Sequence, residues 1–582
     1  MDVTASSFSR HLLRLLDDIS KAEFVAFDLE LSGIPSHLPK KTPTKLNGSR
    51  KTLEDRYAET KKAADRYQIL QVGLTCGSYD MLLGKYVVRP YNVTLSPLLK
   101  ERLDIEREIH IQSGAASFLL ENGFDLGAPF AKGVQYLSRE EAEWAKQAAF
   151  DRHDGKTVIE DVQLKPEEVD SIDFVRRARE AITNWVKNPG QIRILHITSH
   201  TGLPSPPQEQ SILRFEKRLV HQLVRADFPQ LVTIGNKDFS VRVVRYNAAR
   251  EEENTRRMKN RTMESISRQT GFRWVFEALA KGDISATKPS RTGIIADGQA
   301  DDDDKITWDL AHAKLQYHQP VLVGHNMFTD LVYFYRSFVG ELPETLDSFC
   351  EAVHKVFPRI IDTKWLATYA GGDLNDSPSL QKIAESMENQ ELPSIATHHE
   401  HSQYHDTKAF HEAGFDSLLT ATIMLQISAK LHHEQQVKAA GDANSDDSFK
   451  SAVASEDAFI LDGQEKVSEP VSIPPLSAPS APSEDGFTTV SKKEGREGKA
   501  KAKQATVTRE FPTYNRFNSL DATGGPTSNV APMWQDETDE PDCKPMEMIP
   551  SFHTSFWTEF GNTLRVFGTD EKVLKIADWP EK

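Results

Sequence analysis

Cysteine is almost missing from this chain of 582 residues: Cys76, Cys350 and Cys543 are the whole supply. They lie far apart and form no C-x-x-C pair. That excludes a disulfide framework and a thiolate zinc finger, and it suits a reducing compartment. No run of about eighteen apolar residues occurs, so no transmembrane span and no membrane partner are expected. A secretory signal is not expected either, because Asp2, Arg10, Arg14, Asp17 and Asp18 interrupt the leucines of the first segment, which reads as an amphipathic helix. Positive charge is not in excess. A net charge of −16 argues against coating nucleic acid by bulk charge, but leaves room for an enzyme that engages a few phosphates through bound metal. G-x-S-x-G, P-loop and H-E-x-x-H motifs are absent too, which removes support for serine-hydrolase, nucleotide-motor and zincin readings.

What is present is ordinary for a soluble globular protein: 38% hydrophobic and 27% charged residues, in a length that implies more than one domain. Phe8, Leu12, Leu13, Leu15, Leu16 and Ile19 recur at helical spacing. Phe24-Val-Ala-Phe-Asp-Leu-Glu-Leu reads as a mostly buried strand, stopped by Ser32-Gly33 and Pro35. Strands at Ile69–Thr75 and Tyr86–Arg89 and helices near 112–122 and 138–150 continue an α/β pattern over residues 1–165. Residues 166–250 change character. Helices at 170–187 and 211–226 precede a strand pair, Leu231–Ile234 and Phe239–Arg245, the size of a small α+β domain. A charged helix over 249–268 leads back to strand and helix alternation through 251–434. Residues 435–545 are rich in Ser, Pro, Ala, Gly and charge and read as a disordered linker. Residues 546–582 turn aromatic again and contain Leu564-Arg-Val-Phe, a strand expected to return to the core and to complete its sheet.

Three carboxylate clusters stand out. On a strand, Asp28 and Glu30 project from the same face, and two like charges so close call for a neutralising cation unless both simply meet water at the strand end. In Val321-Leu-Val-Gly-His-Asn-Met-Phe-Thr-Asp330 an apolar strand ends at Gly324, and Asp330 opens an aromatic-rich helix, as a functional group or as a cap. In His411-Glu-Ala-Gly-Phe-Asp416, Gly414 lets the chain turn before the next helix, so His411 and Asp416 need not follow helical spacing.

F-D-x-E-x-S-G-I, G-H-N-M-x-x-D and H-E-A-G-x-D stand in the order of the three exonuclease motifs of the DEDDh superfamily, and the chain resembles its poly(A)-specific ribonuclease family. Arg56-Tyr57 with Lys61-Lys62, Gln71-Val-Gly-Leu, Gly123-Phe-Asp, Phe357-Pro-Arg-Ile-Ile-Asp-Thr-Lys364 and Ser379-Leu support the likeness over residues 1–430. The resemblance implies a ribonuclease-H-like α/β exonuclease fold, interrupted by a small nucleic-acid-binding insert. It implies that Asp28, Glu30, Asp330 and Asp416 bind two Mg²⁺ ions, for which Mn²⁺ could substitute, and that His411 is the general base. Oxygen ligands suit Mg²⁺, two ions roughly 3.5–4 Å apart stabilise both attacking and leaving oxygens, and an imidazole of pKa about 6.5 can take a proton from the attacking water. Asn326, Lys364 and Phe118 are RNA-contact candidates; Asp362, by the resemblance not one of the four ligands, reads as structural or as a support behind them. The implied activity is 3′-to-5′ deadenylation of RNA with release of 5′-AMP, in messenger-RNA decay. Trimming of small non-coding RNA 3′ ends uses the same centre, and a non-catalytic RNA-binding scaffold is the rival from another class. The implied partner is RNA with a 3′-hydroxyl; homodimerisation and residence in nucleus and cytoplasm are further expectations from the family.

Other signals read more plainly. His398, His399, His401 and His405 fit no standard zinc spacing and look like a loop. Asp301–Asp304 reads as a solvated loop. In the insert, Lys217-Arg-Leu-Val-His221 reads either as a degenerate form of the family's Arg-x-x-x-His signature or as a solvated amphipathic helix; Arg218, Arg242 and Arg245 suit phosphate contact. The RNA-recognition module that follows in animal and plant members is not found. Lys492–Lys503 resembles a nuclear-import signal, while Asp485-Gly-Phe-Thr-Thr-Val and Asn515-Arg-Phe-Asn-Ser-Leu look like docking motifs for unknown proteins.

Overall fold

The computed structural model describes residues 1–35, 51–157, 160–188, 190, 193–205, 211–237, 239–289, 302–371, 378–405, 407–452 and 545–580. The expected import signal, both docking motifs and most of the expected linker lie outside these residues. The chain divides into two compact units, Met1–Asp442 with Cys543–Lys582, and Ala443–Asp542; the architecture below is that of the first.

Thirteen strands occur among the described residues: β1 (Asp2–Val3), β2 (Phe24–Leu31), β3 (Ile69–Asp80), β4 (Lys85–Ser96), β5 (Val134–Gln135), β6 (Leu195–Ile197), β7 (Leu231–Asn236), β8 (Ser240–Arg245), β9 (Val321–Gly324), β10 (Ile360–Asp362), β11 (Ile395–Thr397), β12 (Thr563–Arg565) and β13 (Val573–Lys575). The central sheet runs β1-β4-β3-β2-β9-β10, with β5 and β11 also on β4. β3 is antiparallel to both β2 and β4, whereas β2, β9 and β10 are parallel. This is the mixed α/β architecture the alternation of elements predicts.

The period-two alternation of β2 sorts its side chains between two cores. Val25, Phe27, Leu29 and Leu31 join a core with the helices Phe8–Lys21, Arg273–Leu279, Phe328–Phe338 and Leu346–Val356. Phe24 and Ala26 face the other way, onto Val323, Ile361, Met424, Leu425 and Trp557. Asp28 and Glu30 continue this second face. Parallel pairing with β9 covers only Phe24–Ala26, so both acids lie just past the carboxyl end of β9, where open α/β sheets leave a crevice.

The insert folds around its own core. β6-β8-β7 form an antiparallel sheet, and Phe174, Ala178, Ile182 and Trp185 of helix Val169–Lys187 pack with Leu219, Val220 and Leu223 of helix Arg214–Asp227 against Val241 and Val243. His221 is half-buried, with Nδ1 2.5 Å from the Thr233 hydroxyl; Arg218 donates to the Glu160 carbonyl, and Arg245 lies 5.9 Å from the Trp185 ring.

Three local expectations change. Asp302–Asp304 form the first turn of a helix running to Leu315 and not a loop, a place where three acids meet the positive end of the helix dipole. The helix that begins at Ala413 continues to Ala452, past the expected start of the linker, through the strong helix formers Glu434, Gln435, Gln436 and Lys438. Leu564 does sit in the core, but β12 pairs with β13 as a hairpin and adds no strand to the central sheet. Asn562, at positive φ, terminates the edge by exchanging hydrogen bonds with the Ile360 backbone, 2.8 Å each way. No described helix is long and apolar enough to cross a membrane.

Candidate active site

Four acids from three separate segments meet at the carboxyl end of β2. One carboxylate oxygen each from Asp28, Glu30 and Asp416 lie within 4.8 Å of one another. Asp330, in the first turn of helix Phe328–Phe338, faces the same recess closely enough to raise the pKa of both Asp28 and Glu30. Burial is the largest cause of those upward shifts, and repulsion from Asp416 and Asp330 adds to it. Burial likewise lifts Asp330 and Asp416 to about 7 each, Asp416 with a further push from Glu412. A cluster whose members resist ionising next to one another is a cluster that gains by taking up a cation, and an all-oxygen donor set matches hard divalent ions such as Mg²⁺ or Mn²⁺.

His411 stands at the lip of the recess. It is exposed, adopts φ +66°, and its backbone N–H donates to Asp416 Oδ2 at 3.2 Å. Its ring meets Phe118 edge to face, with centroids 4.8 Å apart. Phe118 belongs to helix Ser113–Glu121 and is 45% exposed, so the aromatic named as an RNA contact also borders the imidazole. Asn326, exposed and at φ +53°, lies in the turn between β9 and Asp330, and its backbone N–H donates to Asp362 at 2.8 Å.

Asp362 is fully buried and accepts from three backbone N–H groups, those of Asn326, Lys364 and Arg565. It ties the end of β10 to the β9 turn and to β12, a structural part. Lys364, expected on phosphate, is instead 5% exposed: its ammonium donates to the Pro378 carbonyl and lies 4.9 Å from the Phe567 ring. The sequence shows a basic residue beside Asp362; it does not show that the β12 loop folds over it. The histidine group also separates. His398, His399 and Glu400 cluster, yet Glu400 is ion-paired to Arg14, and His401 is fully buried with Nδ1 on the Pro90 carbonyl.

Sequence reasoning gave no such role to the residues that hold the His411–Asp416 segment against the sheet. Gln71 Oε1 accepts from Ala413 N–H at 3.0 Å, and Asn92 Oδ1 accepts from Gly414 N–H at 3.3 Å. The hydroxyls of Thr75 and Ser417 meet at 2.9 Å. The available signal was polar residues at alternate positions inside otherwise apolar strands, Gln71 and Thr75 in β3 and Asn92 in β4, all buried.

Comparison with known proteins agrees with this geometry. The chain is 23% identical over 441 residues to a poly(A)-specific ribonuclease of Xenopus laevis, 74% of this chain and 62% of that one, so it matches less than two thirds of that relative's length. It is 27% identical over 370 residues to an uncharacterized protein of Schizosaccharomyces pombe, 63% of this chain and 75% of that one. It is 23% identical over 388 residues to a pre-piRNA 3′-exonuclease trimmer of Bombyx mori, 66% and 61%. The model of the CAF1 family ribonucleases matches residues 3–424 and so takes in all four acids and His411: the chain belongs to the CAF1 ribonuclease family.

Proposed function

We propose that this protein is a divalent-metal-dependent 3′-to-5′ exoribonuclease that shortens poly(A) and releases 5′-AMP. The observation that carries the reading is the convergence of Asp28, Glu30 and Asp416 oxygens within 4.8 Å, beside Asp330. Likeness to a relative named as a poly(A)-specific ribonuclease supports the choice of substrate.

The four carboxylates would hold two Mg²⁺ ions, with Mn²⁺ as a substitute. When bound, such ions polarise the scissile phosphate and stabilise the charge on attacking and leaving oxygens. Asp28 and Glu30 come from one strand; Asp330 and Asp416 stand in the first turns of two helices. His411, at the solvent edge, accepts the proton of the attacking water, and its exposure lets that proton leave to bulk. Phe118, against His411, and Asn326, in the exposed turn before Asp330, are the groups offered to a terminal nucleotide. A second reading, trimming of small-RNA 3′ ends, is favoured by likeness to the Bombyx mori trimmer and uses the same residues.

The test incubates the full chain with 5′-labelled RNAs ending in oligo(A), oligo(U) or oligo(C), with Mg²⁺ or EDTA. A metal-dependent ladder strongest on oligo(A), with AMP released, is the expected result. Equal ladders on all three favour the trimmer, and bound but uncut RNA overturns the enzyme in favour of a scaffold.

A further inference from the structure

Within the H-E-A-G-x-D segment, Glu412 makes its hydrogen bonds outside the group of Asp28, Glu30 and Asp416. Its Oε1 accepts from the Tyr404 hydroxyl at 2.6 Å and from Asn92 Nδ2 at 2.7 Å. The same Asn92 amide reaches Asp2 Oδ1 at 3.0 Å and, through its oxygen, Gly414 N–H. Asn92 is buried in β4, where it stands in one cross-strand row with Gly73 of β3 and Asp28 of β2. The His411–Asp416 loop lies across this row. Gln71, one step along the same face of β3, takes the N–H of Ala413, and Gly414 fits because a side chain there would meet the Tyr404 hydroxyl at 2.4 Å and Asn92 Cβ at 2.6 Å.

This arrangement matters because His411 sits at positive φ, a conformation uncommon for residues other than glycine, so the segment around it must hold it there. Neither His411 nor Asp416 is fixed by a strand: His411 hangs from the loop after Tyr404, and Asp416 stands in the first turn of the helix that begins at Ala413. We propose that Glu412, with Asn92 and Tyr404, is a positioning clamp: it bolts the loop to the sheet so that His411 and Asp416 reach the carboxylates of β2. The proposal rests on the exonuclease reading above. Glu412 acts through hydrogen bonds accepted by one oxygen and contributes no ligand. A glutamine, which keeps that oxygen, therefore preserves the clamp, and an alanine removes it.

The experiment compares the full-length parent with Glu412→Gln, Glu412→Ala and Tyr404→Phe. Three quantities are read: kcat and KM on oligo(A) RNA, Mn²⁺ affinity of the metal-free protein by electron paramagnetic resonance, and Tm. Groups that orient a metal ligand without binding the metal usually carry roughly 10–100-fold in affinity or activity. Glu412→Ala is expected to lose about that factor in kcat and to weaken Mn²⁺ binding, with KM near the parent's, and Glu412→Gln to recover most of both. Parent-like kcat and Mn²⁺ affinity in Glu412→Ala overturn the clamp, and so does Glu412→Gln being as damaged as Glu412→Ala. If Glu412→Ala does not fold, Tyr404→Phe decides: a lowered kcat at unchanged Tm supports the clamp and an unchanged kcat overturns it. A parent that cuts no RNA refutes the exonuclease reading, while the Mn²⁺ affinities still judge the clamp.

Discussion

Gly73 faces Asp28 across the antiparallel β2–β3 pair, and the carbonyl oxygen of Ala413 lies 1.7 Å from where a Cβ on Gly73 would stand. The missing side chain is thus the space in which the loop bearing His411 and Asp416 descends beside Asp28. The obstructing atom is backbone, so a methyl group cannot be relieved by a rotamer change.

Gly73→Ala is therefore expected to push this loop off the sheet. A displacement of about 1 Å at a catalytic constellation costs on the order of 100-fold in rate. Cleavage rate falls by that order while circular dichroism stays native, because the substitution leaves both cores intact. An active Gly73→Ala protein would show that the loop has another seat.

Acid–base behaviour gives a second outcome. Burial, with a further push from Asp362, raises Asp330 from an ordinary 3.8 to about 7, so the metal-free folded state binds a proton more tightly than the unfolded chain does. The stability this contributes is fully present below about pH 4 and lost as pH rises through about 7. Metal-free protein at about pH 8 thus carries the unrelieved repulsion, and Mg²⁺ should raise its Tm more there than at about pH 6. Asp330→Asn should raise the metal-free Tm at the higher pH by roughly a few degrees and shrink the gain from Mg²⁺. Calorimetry in EDTA and in Mg²⁺ checks both, and an Mg²⁺ gain independent of pH contradicts the account.

Phe118 has two duties to choose between. If its edge contact with His411 governs the reaction, Phe118→Ala lowers kcat by about tenfold and leaves KM unchanged; a role confined to stacking a base raises KM instead. The 4.8 Å ring contact favours the kcat effect. Steady-state kinetics on oligo(A) separates the two.

Asp362 predicts a stability effect and not a chemical one. Its Oδ2 accepts from Arg565 N–H at 3.0 Å, while Oδ1 serves Asn326 and Lys364. Asp362→Asn keeps one acceptor and turns an amide N–H₂ toward a backbone donor, whichever way it flips. A loss of roughly 1.5–3 kcal/mol is expected in urea denaturation, with cleavage retained at low temperature.

The sequence by itself determined the local things. The alternation of Phe24–Leu31 placed Asp28 and Glu30 on one face, and the helical spacing within residues 5–20 predicted a helix, which runs Phe8–Lys21, because each pattern is a property of neighbouring residues. The three motifs in order marked the acids and His411 as a group. Tertiary structure decided the rest. Gly73 opposite Asp28 is a matter of register, and register is set by pairing between distant segments and the faces they bury. The same holds for Asn92 under the His411 loop and for Lys364 beneath Phe567: nothing adjacent in the chain shows what will cover them. β12 looked like a strand for the sheet because its segment is apolar and aromatic, but Asn562 bonds the Ile360 backbone of β10 and β12 pairs with β13 instead. Short-range periodicity fixes which way a side chain points; only the packed chain fixes what it meets.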